Sequence, residues 1–291
     1  MTLPVCKLSV TIIARNEEAQ IGDCLESVRW ADEIIVVDTG SVDRTREICH
    51  KYTPHVESRT WEGYAAAKNA ALGLATGDWV LSLDADERVS DELRQEMAAL
   101  QQQPIVALAA GYAIPRRNYL WGRWLRYGGL YPDYQLRLFK RGTGGFKARR
   151  VHESVTVDGR VERLHHPIEH HSYQGISDVI QRLDRYTDLA ALDVHDQGQP
   201  FRITALIMRP FGRCLRNYVL KQGWRDGIPG LIMAVSYAYS VFVREVKLWE
   251  MTQSPSGSRE RLKSGNSHED GRGSGAVERV DGCDPYRSCI C

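Results

Sequence analysis

Residues 80 to 87 read VLSLDADE, a run of β-forming residues that ends in three carboxylates, Asp84, Asp86 and Glu87. Carboxylates this close repel one another, so a bound metal ion, a basic side chain or open water must compensate them. The chemistry that calls for Asp84-Ala85-Asp86 is the handling of a diphosphate. Mg2+ and Mn2+ take oxygen ligands, and such a cation neutralises the charge of a leaving diphosphate. A solvated loop after a strand also accounts for an isolated D-x-D. Two more polar clusters follow apolar runs upstream: Arg15, Asn16 and Glu17 after LSVTIIA, and Asp38 at the end of EIIVVD.

The elements that would position these groups alternate. Residues 8–14 and 33–38 read as buried strands. Between them Ile21, Cys24, Leu25 and Val28 recur at helical spacing, with Asn16 available as a cap. The turn TGSVDRT leads to a short helix containing Ile48, and residues 55–58 form a short third strand. An Ala-rich helix from Gly63 to Ala75, stopped by Gly77, precedes a strand at 79–83, and Ser90 caps the helix after it. This alternation predicts a parallel sheet with helices on both faces. Ligands of such sheets bind outside the carboxyl ends of the strands, and all three polar clusters fall there.

The 291 residues suffice for one large α/β domain or two small ones. A formal net charge of only +1 argues against a nucleic-acid partner. Seven cysteines, an odd number without paired zinc-type spacing, point to a reducing compartment. The N-terminal stretch MTLPVCKLSVTIIARNEE lacks a basic n-region and a small-residue cleavage site, so it does not read as a signal peptide. After Pro104, to about residue 170, the chain is rich in aromatics and short strand-like runs. There Trp121, Trp124, Tyr127 and Tyr131 suit either a sugar-stacking wall or ordinary core. Residues 176–196 read as a helix. Phe201 to Glu250 carries eight basic residues against three acidic, around an uncharged run of sixteen from Ile228 to Val243. That run is short of the roughly 20 residues that span a bilayer. From Thr252 onward the composition is that of a disordered tail.

Taken in order, SVTIIARNEEAQIGDCLESV, ADEIIVVDTGSVDRT, AAAKNAALGLATGDWVLSLDADE and YPDYQLRLFKRG resemble glycosyltransferase family 2, the inverting GT-A enzymes, over residues 7 to 155. Within that family VHESV, HHSY, RLDRYTDLAA and YVLKQGWRDGIPGL are similar to the lipopolysaccharide core β-1,4-glucosyltransferases of Gram-negative bacteria. The resemblance implies an α/β fold of GT-A (Rossmann-like) type, with a mostly parallel sheet, helices on both faces and a C-terminal helical segment. The expected organisation is a catalytic domain over 1–175, with a nucleotide-sugar half to 104 and an acceptor half from 105. A basic helical region at 176–250 and a tail at 251–291 would follow.

The resemblance also implies roles. Ala14, Arg15 and Glu17 would line the nucleotide pocket. Asp38 would accept the uracil imide N–H, its competing use being a helix cap for the turn at Thr39 to Ser41. Lys68 and Asn69 would contact the nucleotide or donor, although Lys68 also reads as a surface lysine. Asp84 would face ribose and metal, and Asp86 would bind Mn2+ or Mg2+ directly. An inverting transfer needs one general base. The family's acidic motif falls at GGLYPDYQLRLF, so Asp133 is the expected base, with Pro132 where many members have Glu. Glu153 of VHE is the rival base. His152 beside it is either a third metal ligand or an ordinary structural histidine. Arg137 either helps bind diphosphate or is an exposed strand residue. His165, His166, His170 and His171 have no role in the family and read as a polar strand edge.

The implied activity is hexose transfer, from UDP-glucose, to the lipopolysaccharide inner core or a related lipid-linked glycan. Basic residues around the apolar run would hold the protein on anionic lipid, in the cytoplasm and peripheral on the inner membrane. A packed hairpin or a dimer contact is the other use of that segment. Two rival functions stand beside this one. A nucleotidyltransferase acting on sugar phosphates usually shows a Gly-rich basic N-terminal loop, which ARNEEAQIG does not supply. A non-catalytic membrane-associated binding protein would have no need of the D-x-D and a candidate base.

Overall fold

The computed structural model describes residues 6–147, 154–173 and 175–253, and these divide into two units. The first comprises residues 6–117, 132–147 and 154–171. It begins with β1 (Leu8–Ala14), α1 (Ile21–Ser27), β2 (Glu33–Asp38), α2 (Thr45–Cys49), β3 (Val56–Ser58), α3 (Tyr64–Leu74), β4 (Trp79–Asp84), β5 (Glu87–Val89) and α4 (Asp91–Gln101). Next come β6 (Gly111–Leu120) and the short β7 (Arg123–Trp124), then β8 (Asp133–Lys140), β9 (Gly144–Lys147), β10 (Ser154–Val157), β11 (Val161–Arg163) and β12 (Ile168–Tyr173). Residues 118–131 and those from 172 onward belong to the second unit.

The sheet is mixed, in the order β3-β2-β1-β4-β8-β6-β12-β5, and the fold is α/β. Its N-terminal block is parallel: β2 pairs with β3 and β1, and β1 with β4; off the main path β11 also runs parallel to β6. Beyond that block β8 runs antiparallel to both β4 and β6, and β12 antiparallel to β5. Helices cover both faces, and the period-2 alternation of β4 shows how. Trp79, Leu81 and Leu83 enter one core with Ile21, Leu25, Leu93 and Met97 of α1 and α4, while Val80 enters another with Ala65 of α3. Burial on both sides is why β1 and β4 are largely apolar, with only small hydroxyl side chains, Ser9, Thr11 and Ser82, buried among them. Two local expectations change. Gly77 matters for close approach, since a Cβ there would stand 2.8 Å from the backbone nitrogen of Ser9. Asn16 caps no helix: it adopts a φ of 55°, and its Oδ1 accepts the Val42 N–H at 2.9 Å.

The second unit contains α5 (Ile176–Asp196), α6 (Ile203–Leu215) and α7 (Ile228–Gln253). Leu120, Leu125 and Leu130 pack with Val179 and Leu183 of α5 and with Met233 and Tyr237 of α7. Trp124 meets Tyr131 edge-on at 5.3 Å, and Arg126 lies over the Trp124 ring at 3.9 Å. Helix α7 extends ten residues past the uncharged run, taking in Arg244, Glu245 and Lys247. Among the described residues no helix is long and apolar enough to cross a membrane. His152, Glu153 and residues 254–291 lie outside the described residues.

Candidate active site

Strand register gathers the polar groups. Ala14 stands opposite Asp38 across the β1–β2 ladder, and Ile13 stands opposite Asp84 across β1–β4. The three parallel strands therefore end level. The antiparallel strands bring groups that are distant in sequence. Arg116 of β6 is in register with Asp133 of β8, and His170 of β12 with Glu87 of β5.

The result is a continuous chain of opposite charges. Lys68 Nζ lies 2.9 Å from Asp84 Oδ1, and Arg137 Nη2 lies 2.5 Å from Asp84 Oδ2. The same Arg137 nitrogen is 2.6 Å from Glu87 Oε1, and Arg116 Nη1 is 3.6 Å from that oxygen. Arg116 continues to Asp133, donating from Nε at 3.1 Å and Nη2 at 2.7 Å to Oδ2. Three cations thus alternate with three carboxylates, and Asp86 adds a further negative charge. Glu87 has no exposed surface, whereas the Asp84 side chain is 31% exposed. Burial would push the Asp84 carboxyl up, but Arg137 and Lys68 outweigh it and hold the group well below the usual carboxylate range. Burial disfavours the Arg137 cation, yet Asp84 and Glu87 raise its pKa, so it stays charged. The repulsion legible in DADE is therefore answered mainly by basic side chains.

The other sequence candidates divide. Lys68 is buried and is no surface lysine, and Arg137 is buried rather than exposed. Asp38 is buried; its Oδ2 accepts the N–H groups of Gly40 and Ser41, each at 3.2 Å. Its Oδ1 has no partner among the described residues, an orphan acceptor that suits an incoming N–H. Ala14 ends β1 and accepts from Thr39 N at 3.0 Å. Arg15 is exposed, and the Glu17 N–H donates to Thr45 Oγ1 at 2.8 Å. Asn69 turns to β9, where its amide both donates to and accepts from the Phe146 backbone at 2.8 and 2.9 Å. Asp133 is buried, and its Oδ1 accepts from Gln135 Nε2 at 3.0 Å. Asp86 Oδ2 lies 3.4 Å from Nε2 of buried His170. His170, expected only as part of a polar strand edge, is brought to the D-x-D by the pairing of β12 with β5.

Among the described residues no three His, Cys, Asp or Glu side chains form a ready metal cage. As oxygen donors for a divalent ion the described residues offer the carboxylates of the D-x-D, and Mg2+ commonly draws its remaining ligands from phosphate and water.

A sequence model of Glycosyl transferase family 2 matches residues 9–156. The chain is 30% identical over 258 residues to the lipopolysaccharide core biosynthesis glycosyltransferase LpsC of Rhizobium meliloti, covering 85% of this chain and 94% of that protein. An uncharacterized glycosyltransferase of Rickettsia conorii is 28% identical over 263 residues, 84% of this chain and 90% of that protein. Among solved structures, S. aureus TarS 1-349 in complex with UDP-GlcNAc aligns with a TM-score of 0.46 at 16% identity, over 86% of this chain and 92% of that one.

Proposed function

Because the chain belongs to glycosyltransferase family 2, we propose that it transfers a hexose, with inversion, from a UDP-sugar to the lipopolysaccharide inner core or a related lipid-linked glycan. UDP-glucose is the proposed donor. The observation that carries this reading is the charge chain from Lys68 to Asp133 at the carboxyl edge of the sheet, beside the orphan oxygen of Asp38. Similarity to a lipopolysaccharide core glycosyltransferase over most of both chains supports the acceptor class.

In this mechanism Ala14, Arg15 and Glu17 border the nucleotide, and Asp38 Oδ1 accepts the uracil imide N–H. Lys68 and Arg137 fix the Asp84 carboxylate as a rigid acceptor for the ribose hydroxyls. Asp86, with His170 beside it, would hold Mn2+ or Mg2+. When bound, the cation supplies neutralising charge for the diphosphate leaving group. Asp133 takes the proton of the acceptor hydroxyl as its oxygen attacks the anomeric carbon and UDP departs. A carboxylate has about four lone-pair sites, so Asp133 Oδ1 keeps one beyond the Gln135 bond. Arg116 holds the opposite oxygen and fixes the orientation of the base. A lipid-linked acceptor gives a reason for the protein to sit on the cytoplasmic side of an anionic membrane.

The test is a donor screen with purified protein and inner-core lipopolysaccharide, read by product mass. Addition of one hexose with release of UDP is expected. Release of pyrophosphate would identify a nucleotidyltransferase, and no mass change with any donor would defeat the reading.

A further inference from the structure

Besides its buried core, the second unit leaves many large apolar side chains on its surface. Helix α6 fully buries only Ala205. Ile203, Ile207, Phe211 and Leu215, spaced four apart, are 45 to 64% exposed. Arg209 bonds instead to a buried group, with Nη1 2.8 Å from Glu245 Oε1, and Arg244 is buried beside that carboxylate. Helix α7 buries one apolar face, with Met233, Tyr237 and Val241, and exposes a second. Ile228, Leu231, Val235, Tyr239 and Phe242 follow one another at three- and four-residue steps, and all are exposed. Leu220 and Trp224, between the helices, are exposed as well.

A helix packed in water turns its apolar stripe inward, and soluble monomers rarely leave large contiguous apolar patches uncovered. Charge selects the occupant here. Between Asp196 and Asp226 the chain has no acidic residue and six basic ones: Arg202, Arg209, Arg213, Arg216, Lys221 and Arg225. Two copies joined through this surface would bring like charges together, whereas an anionic bilayer matches both properties. No described helix can cross a membrane, which leaves the helices lying along its surface.

We infer that the exposed faces of α6 and α7 insert into the headgroup–acyl boundary of an anionic bilayer. Apolar side chains hold the protein there, and the basic residues choose the lipid. This rests on the membrane placement proposed above and deepens it. Attraction to surface charge is screened by salt; apolar insertion is not, so binding should outlast high salt.

The full chain is sedimented with phosphatidylcholine vesicles, with and without phosphatidylglycerol, at low and high salt. Wild type should bind the anionic vesicles better and stay bound at high salt. Ile207→Ser with Phe211→Ser should weaken partitioning by about 10²-fold, since a buried apolar side chain is worth about tenfold or more. Both residues are exposed, and an unchanged melting curve verifies the fold. Arg202→Gln with Arg216→Gln should reduce the preference for phosphatidylglycerol. Wild type that fails to sediment, or a serine variant that sediments as wild type does, overturns the inference. So does a lipid-free dimer, seen by analytical ultracentrifugation, that the serine variant dissociates, because it assigns the face to a second copy. Transfer to a detergent-dispersed acceptor is scored separately and should be unchanged in the serine variant; its loss in wild type would count against the proposed function and not against insertion.

Discussion

Arg137 Nη2 lies 2.6 Å from Oε1 of Glu87, a carboxylate with no exposed surface. Glu87 Oε2 meanwhile accepts the backbone N–H of Asp84 at 3.0 Å. One side chain thereby ties β8 to the turn of the D-x-D and fixes the backbone that carries Asp84. Arg116 reaches the same Oε1 from β6. Glu87 is the junction between the proposed donor end and the proposed base.

Glu87→Gln should therefore cost stability as well as rate. It leaves two buried guanidinium groups short of a counter-charge, and breaking a buried pair costs about 3–5 kcal/mol. Urea unfolding should show a midpoint shift on that scale. A variant as stable as wild type would mean the network is not cooperative.

Asp86→Ala should abolish transfer at any Mn2+ or Mg2+ concentration and remove metal-dependent binding of UDP, measured by calorimetry. His170→Ala should weaken metal dependence without removing donor binding altogether. Near-normal transfer in EDTA would end the metal assignment.

Asp133→Asn should leave UDP binding nearly intact and cut turnover by about 10²-fold or more, the scale of a lost general base. Gln135 and Arg116 can still meet an amide, so most of the folded protein should survive, as circular dichroism would show. If Glu153→Gln produces this pattern instead, the base is Glu153.

The acid limb of stability should depend on Asp84. Its folded pKa lies well below the ordinary value because of Arg137 and Lys68, despite burial. The ion pairs therefore stabilise the protein fully above the unfolded value of about 3.9, and that contribution is lost as pH falls through the folded value. The stability difference between wild type and Asp84→Asn should be largest near neutrality and shrink below about pH 4. A constant difference down to acid pH would refute the assigned shift.

Much of the parallel half was legible because strands covered on both faces are mostly apolar, with few polar residues inside them. LSVTIIA, EIIVVD and WVLSLD announce themselves, and polar residues directly after them mark the edge where ligands bind. The long α5 was likewise readable from residues 176–196. What lay beyond local pattern was partnership. Nothing near Asp84 in sequence says that Arg137 and Lys68 take its two oxygens, because a β-ladder joins residues at separations that only strand order sets. His170 reaches Asp86 for the same reason. Along α6, Ile203, Ile207, Phe211 and Leu215 recur every four residues, but helical periodicity does not say which face meets the protein. That was decided where Arg209 bonds Glu245, leaving Ile207 and Phe211 outside.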